Sequence, residues 1–340
     1  MHSPAQLQTN GHRAVSVGEV LEHLDSEVRS GHLDVLRAIP TGFTPLDGFL
    51  HGGIHPGDLM LLGGAQGLGK TTWALQMARH VAATDRGRVL YLCYEHEQEF
   101  LLERLIAMES VLGGDEEPIS VGALRDLLAR RAHREQEGLV ALLGQLGTVT
   151  PTLKRIRTYE DRLFLARANA DTTVERIGHL VRTCPGQGPL LLVVDYLQKV
   201  AVRPEPDAEE DKVRRAVEGL KELAMSEGVG VMAIAAADVE GLKAQRMRIH
   251  HLRGGSSLMY EADVVLIMND KYKAVARHHV VYQPSIAEGF HNWVVFTLEK
   301  NRGGVDLIDF ELRKRFPHAC FDPTGGFVAE QLVDGRLYLS

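Results

Sequence analysis

Residues Gly64 to Thr71 read Gly-Ala-Gln-Gly-Leu-Gly-Lys-Thr, a complete G-x-x-x-x-G-K-[ST] loop. It follows the apolar run Leu59-Met60-Leu61-Leu62 and opens a segment with apolar residues at Ala74, Met77, Ala78 and Val81. Strand, glycine-rich turn and helix, in that order, form the context in which this motif cradles phosphate. The glycines let successive N–H groups turn inward around anionic oxygens beside an electropositive helix start. Gly64, Ala65, Gln66, Gly67, Leu68, Gly69, Lys70, Thr71 and Thr72 are therefore candidate nucleotide contacts. In such a loop Lys70 reaches the β- and γ-phosphates and the Thr71 hydroxyl helps to hold Mg²⁺. A chain so equipped folds as an α/β nucleotide-binding core and takes a nucleoside triphosphate such as ATP.

A second carboxylate is needed to hold the ion through its water shell. Leu191-Leu192-Val193-Val194 followed by Asp195 supplies one at the end of an apolar strand. Glu95 ends the strand Val89 to Tyr94 that follows the phosphate-loop helix, so it emerges on the same sheet edge and is the candidate for orienting the attacking water. The competing reading is a solvated carboxylate, with Glu97 and Glu99 as its neighbours.

The rest of the chain alternates strand and helix, the pattern of a mostly parallel sheet flanked by helices. Residues 1–15 read as a disordered tail. Residues 16–40 read as an amphipathic linker helix and connector, with a capping box at Ser16 and Glu19, apolar residues at Val17, Val20, Leu21, Leu24 and Val28, and an end near Gly31. That helix could pack on its own domain or on a neighbour. The main domain spans about 41–325, with a helical insertion near 112–160 whose buried face draws on Leu124, Leu127, Leu128, Leu139 and Leu142; 326–340 reads as a C-terminal tail. No apolar leader or stretch of about 18 apolar residues is visible, which points to the cytoplasm and away from membranes. Cys93, Cys184 and Cys320 are odd in number and far apart, and read as buried thiols.

The ordered motifs resemble the C-terminal ATPase domain of DnaB-type replicative helicases, within the RecA-like superfamily. The resemblance runs through Thr41-Gly42-Phe43-Thr44-Pro45-Leu46-Asp47, Gly53 to Leu59, the phosphate loop and Glu95. It continues through Val194-Asp195-Tyr196-Leu197-Gln198, His251 to Ser256, Glu261-Ala262-Asp263, and Glu299-Lys300-Asn301-Arg302-Gly303-Gly304. It implies a RecA-like P-loop NTPase fold, Glu95 as catalytic glutamate, and an ATP hydrolase of helicase type. A 5′-to-3′ polarity is implied by the family alone. It also implies that Lys300 and Arg302 reach the γ-phosphate held by an adjacent subunit, and hence a homo-oligomeric ring, most often a hexamer. About 40 residues precede the core, so the resemblance covers the motor without the family's primase-contacting N-terminal domain.

Whether nucleic acid is a ligand is a separate question. The net charge is −7, yet Gly241 to Gly255 holds Lys243, Arg246, Arg248 and Arg253 and no acid. A loop tracking the backbone of single-stranded DNA needs such a local reversal. Arg253, Gly254 and Ser256 match positions where the family's loops touch DNA. Three departures weigh against DNA contact: Ala236 occupies the position of the family's relay glutamine, which also counts against tight coupling, Gly254 replaces an acid, and the primase-contacting domain is missing. The alternative is a RecA-like switch that recruits or remodels a protein partner without unwinding DNA.

Overall fold

The computed structural model describes residues 14–31, 37–131, 140, 143, 149–282 and 284–333. Ten strands are β1 (Leu59–Gly64), β2 (Arg88–Cys93), β3 (Leu163–Arg167), β4 (Leu190–Asp195), β5 (Gly230–Ala235), β6 (Val264–Asp270), β7 (Trp293–Asn301), β8 (Ile308–Arg315), β9 (Cys320–Phe321) and β10 (Gly326–Phe327). They form one sheet in the order β3-β2-β4-β5-β1-β6-β7-β8-β10, with β9 on β8. The six strands from β3 to β6 are mutually parallel, and β7 onward is antiparallel. The parallel strands β1, β4 and β5 are buried along their whole length, which is why they read as continuous apolar runs without alternation.

Helices cover both faces. On one, α3 (Lys70–Ala83) and α4 (Gln98–Leu112) bury Trp73, Met77, Leu101 and Met108 against Met60, Leu62, Tyr91 and Phe296. On the other, α7 (Val174–Thr183) and α8 (Glu209–Glu227) bury Ile177, Val217 and Leu220 against Leu59, Leu61, Leu192 and Val231. Alternation along β1 thus sends Met60 and Leu62 one way and Leu59 and Leu61 the other.

The insertion is helical where described, with α5 (Val121–Arg131) and α6 (Thr150–Arg157). Leu124 is buried and Leu127 and Leu128 pack beside it; Leu139 and Leu142 lie outside the described residues. Glu109 of α4 ties this unit to α3, since its buried carboxylate accepts from Arg79 at 2.6 and 2.7 Å, from Arg155 at 3.1 Å and from the Tyr159 hydroxyl at 2.9 Å. A buried charge is tolerable when every lone pair is used in this way.

Ahead of the core, α1 (Val17–Ser30) has the expected capping box between Ser16 and Glu19 and ends on Gly31 in the left-handed region, φ 74°. None of its residues is buried, and Val17, Val20, Leu21 and Val28 face solvent. The short helix α2 (Leu46–Phe49) packs on the core, and Thr41 at its entry is bonded to Asp47.

Two expectations need correction. Gly326 and Phe327, expected in a tail, pair with β8. Cys184 is half-buried, unlike the buried Cys93 and Cys320. The tail before residue 14 and residues 334–340 fall outside the described residues. Among the described residues, no helix is long and apolar enough to cross a membrane.

Candidate functional site

Parallel strands bring their C-terminal ends to one edge, and ligands of open α/β sheets bind outside that edge. Here it carries Gly64 at the end of β1, Glu95 after β2, Asp195 at the end of β4 and Ala236 after β5. The β2–β4 ladder pairs Cys93 with Asp195, so Glu95 falls next to the aspartate. A cleft of about 560 Å³ opens there, lined by Gly64, Gln66, Gly67, Gly69, Lys70, Thr71, Thr72, Glu95 and Asp195. Ala65 and Leu68 belong to the same loop but face the apolar interior.

The loop's shape follows from its glycines. Gly67 and Gly69 have φ of 82° and 91°, a region that side chains with a Cβ rarely enter. Gly69 caps α3, whose first residue is Lys70. The Lys70 ammonium donates to the Gly64 and Ala65 carbonyls at 2.8 and 2.9 Å. Burial pushes its pKa down, opposed by Asp195 and Glu95.

Asp195 is 2 % exposed and accepts from the Tyr91 hydroxyl at 3.0 Å and from the Thr71 hydroxyl. Burial pushes its pKa up to about 6, with the Thr71 and Tyr91 hydrogen bonds opposing and the charge of Glu95 adding to the rise. A carboxylate kept this dry beside a hydroxyl and a second carboxylate is an all-oxygen donor set suited to a hard divalent cation. The residues present therefore fit Mg²⁺, which Thr71 and Asp195 could hold.

The rim holds groups that the sequence did not single out. His96 stacks on Phe100 at 3.8 Å between ring centroids, and the Arg104 guanidinium lies 3.5 Å from the Phe100 ring. All three line the cleft. Their i, i+4 spacing from His96 through Phe100 to Arg104 was the available signal. Phe316, just after β8, also reaches the cleft, against Gly69.

Lys300 and Arg302 lie elsewhere. β7 runs antiparallel to β6 and pairs Lys300 with Val265 and Asn301 with Val264, at the start of β6. That is the edge opposite the phosphate loop, a strand length or about 17–20 Å away. Asn301 points inward and is 8 % exposed, so its two neighbours share the outer side. The Lys300 ammonium donates to the Met259 and Tyr260 carbonyls, and Arg302 donates to the Tyr260 carbonyl and to Asp263 at 3.0 Å. With Arg302 about half exposed, this ion pair contributes only about 0–1 kcal/mol and releases easily.

The basic segment proves less basic in space than along the chain. The Arg246 Nη2 donates to both carboxylate oxygens of Asp309 at 2.7 and 2.9 Å, the arginine is 11 % exposed, and Arg248 is held by Glu299. Both acids come from β7 and β8. A charge-assisted pair this little exposed is already spent on its own carboxylate, which removes these two arginines from the free basic surface. Lys243 pairs with Glu240 in solvent and Arg253 with Glu209, at 3.2 and 3.1 Å, and Arg253 also lines the cleft. Ser256 is exposed at the start of α10 (Gly255–Glu261). Gly254 has φ 115°, and a Cβ there would lie 2.4 Å from Val213 Cγ1. The acid that the resemblance expects at 254 has no room in this fold.

A phosphate loop on β1, an acid on β4 and a parallel sheet extended by an antiparallel meander define a RecA-like P-loop ATPase fold. The family model described as the DnaB-like helicase C terminal domain matches residues 38–316. The chain belongs to that family. Among its relatives is a replicative DNA helicase DnaB of Rickettsia bellii, 24 % identical over 294 residues, which cover 82 % of this chain and 54 % of the relative. A DNA repair protein RadA of Halalkalibacterium halodurans is 28 % identical over 162 residues, 47 % of this chain and 32 % of that protein. The chain spans about half the length of the Rickettsia relative. Among solved structures, the ATPase domain of G40P superposes with a TM-score of 0.70 at 20 % identity, covering 91 % of this chain and 99 % of that one. A DnaB-like replicative helicase, solved in a study of its interactions with primase, gives 0.67 at 20 % identity over 91 % of this chain and 67 % of that one.

Proposed function

We propose that this chain is the motor of a ring-forming, Mg²⁺-dependent ATPase that binds single-stranded DNA and unwinds duplexes. The observation that carries the reading is the division of catalytic groups between two edges of one sheet. Lys70, Thr71, Glu95 and Asp195 gather at the cleft, while Lys300 and Arg302 stand a strand length away and cannot reach their own nucleotide. Such a finger has a target only on a neighbouring copy, and a closed homo-oligomer, a hexamer in the family's manner, supplies one to every site.

In this reading the loop N–H groups and Lys70 bind the phosphates and Glu95 orients water toward the γ-phosphorus. The finger pair from the next subunit offsets the charge that develops on the γ-oxygens. Thr71 and Asp195 would hold Mg²⁺, which would supply positive charge to offset that of the phosphates. The exposed apolar stripe of α1 supports assembly, since nothing among the described residues of its own chain covers it. DNA contact rests on Lys243, Arg253 and Ser256, with Arg246 and Arg248 shaping the loop from within. A switch that remodels a protein partner is the other reading; membership of the helicase domain family favours the motor.

The test mixes two inactive proteins. Glu95→Gln and Arg302→Ala subunits combined should regain part of the turnover, because some interfaces then join an intact cleft to an intact finger. No regain at any ratio would sink the shared site. Forked-duplex unwinding by the wild type, with and without ATP, tests the helicase step.

A further inference from the structure

Ala236 stands where the family pattern carries a glutamine, and its methyl group lines the cleft without a donor or acceptor. Its backbone is nevertheless engaged. Gln198, 8 % exposed, sits three residues after Asp195 in the short turn Leu197–Lys199. The Gln198 Oε1 accepts from the Ala236 N–H at 3.0 Å, and its Nε2 donates to the Arg253 carbonyl at 2.9 Å. The Arg253 N–H donates back to the Ala236 carbonyl at 2.9 Å, so three hydrogen bonds close a ring. One partner is an N–H and the other a C=O, which fixes the orientation of the amide.

Beyond this ring the same two chain segments continue to pair. Ala237 bridges Leu252, and the Asp238 N–H donates to the His251 carbonyl at 2.9 Å. The basic loop between 238 and 252 is thus held by a narrow neck, and Gln198 clasps that neck on the side facing the nucleotide. Behind the clasp, Leu197 is fully buried and Asp195 is bonded to Tyr91 and Thr71, so the four-residue segment has little freedom to absorb a displacement at its head. Ahead of it, the Arg253 side chain reaches the cleft and pairs with Glu209 across an exposed, weak contact.

We propose that Gln198 is the positioning residue that passes the state of the nucleotide from Asp195 to the basic loop, in place of the side chain that Ala236 lacks. The inference rests on the motor reading above. Its physical basis is an element with two arrangements, a neck clasped at both ends of one amide or released at one of them. Both the cleft, through Asp195, and the loop, through Arg253, bias that element. An amide with both ends in use cannot follow one partner without straining the other, so movement at either site is felt at its opposite.

The test compares steady-state ATP hydrolysis with and without an oligothymidylate, and binding of the same labelled oligonucleotide, in the wild type and in Gln198→Met, which keeps the volume but loses both bonds. The oligonucleotide should raise wild-type turnover. In Gln198→Met the stimulation should fall to near unity while unstimulated turnover, the KM for ATP and the thermal midpoint stay put. Adding Ala236→Gln to Gln198→Met should restore part of the stimulation. Full stimulation in Gln198→Met overturns the relay and leaves the motor intact. A joint loss of stimulation, KM and thermal midpoint reduces Gln198 to packing and overturns the relay as well. A wild type that neither binds nor responds to the oligonucleotide removes the motor reading, and the relay with it. Should Gln198→Met fail to fold, hydrogen exchange on the wild type decides. The Ala236 and Arg253 amides should change protection together between ADP and a non-hydrolysable ATP analogue, and unchanged protection at either overturns the proposal.

Discussion

The two edges of the central sheet are built on different principles. At the cleft edge the work is done by main chain and by dry side chains: glycines in the left-handed region, a lysine bonded to loop carbonyls, and an aspartate 2 % exposed. At the far edge Lys300 and Arg302 are wet side chains resting on the carbonyls of Met259 and Tyr260. The first edge is organised before any ligand arrives. The second holds its cations in a position that weak contacts maintain and a stronger anion can empty. This asymmetry is what the proposed reading asks for: nucleotide bound by one copy and hydrolysed with a neighbour's finger.

The largest test of that contrast sets Lys70→Ala against Arg302→Ala. The first should abolish nucleotide binding and turnover together. The second should lower turnover by about 10³–10⁵-fold, the usual worth of such a finger, with nucleotide affinity nearly unchanged. Parallel losses of affinity and rate in Arg302→Ala would erase the distinction between the edges. A smaller effect probes the fold behind the basic loop. Gly254→Ala forces a methyl group against Val213 at positive φ, and should lower stability by about 1–3 kcal/mol, read as a fall in the thermal midpoint. An unchanged midpoint would show that the 254 turn is softer than its packing implies.

Next comes the salt dependence of oligonucleotide binding. Lys243→Ala should lower the slope against log salt by about one unit, whereas Arg248→Ala, already spent on Glu299, should leave the slope alone. Equal effects would return Arg248 to the free basic surface. The smallest effect belongs to α1. Ser16→Ala removes one half of the capping box and should cost about 1 kcal/mol of local helix stability, visible in helical circular dichroism of the free chain. The midpoint of the core should not move, because α1 buries nothing against it.

Much of this was legible beforehand because it is local. The phosphate loop, the strands ending at Asp195 and near Glu95, and both ends of α1 are written within a few adjacent residues each. β8 was readable too, since Ile308, Phe310 and Leu312 alternate with Asp309, Glu311 and Arg313, and all six pair with β7. β3 is harder: it is a half-buried edge strand of five residues with no clean alternation. The fate of the basic segment was out of reach. Arg246 and Arg248 are neutralised by acids 63 and 51 residues further on, and only the folded sheet brings those charges together. Gln198 was hidden for a different reason: its motif suggested a strand end, and its partners are main-chain groups that leave no trace in residue types.

Asp263 joins features that otherwise lie far apart. One of its oxygens holds Arg302, and the other takes the Leu59 N–H at 2.8 Å together with the Lys221 ammonium at 2.6 Å. Leu59 is the first residue of β1, and Gly64, the last, begins the phosphate loop. A stiff rod six residues long therefore connects the anchor of one half-site to the floor of the other. In the closed ring proposed above, each rod would end where the next subunit's load begins, so the sites would be linked in series, and slack at one junction would be taken up around the whole circuit.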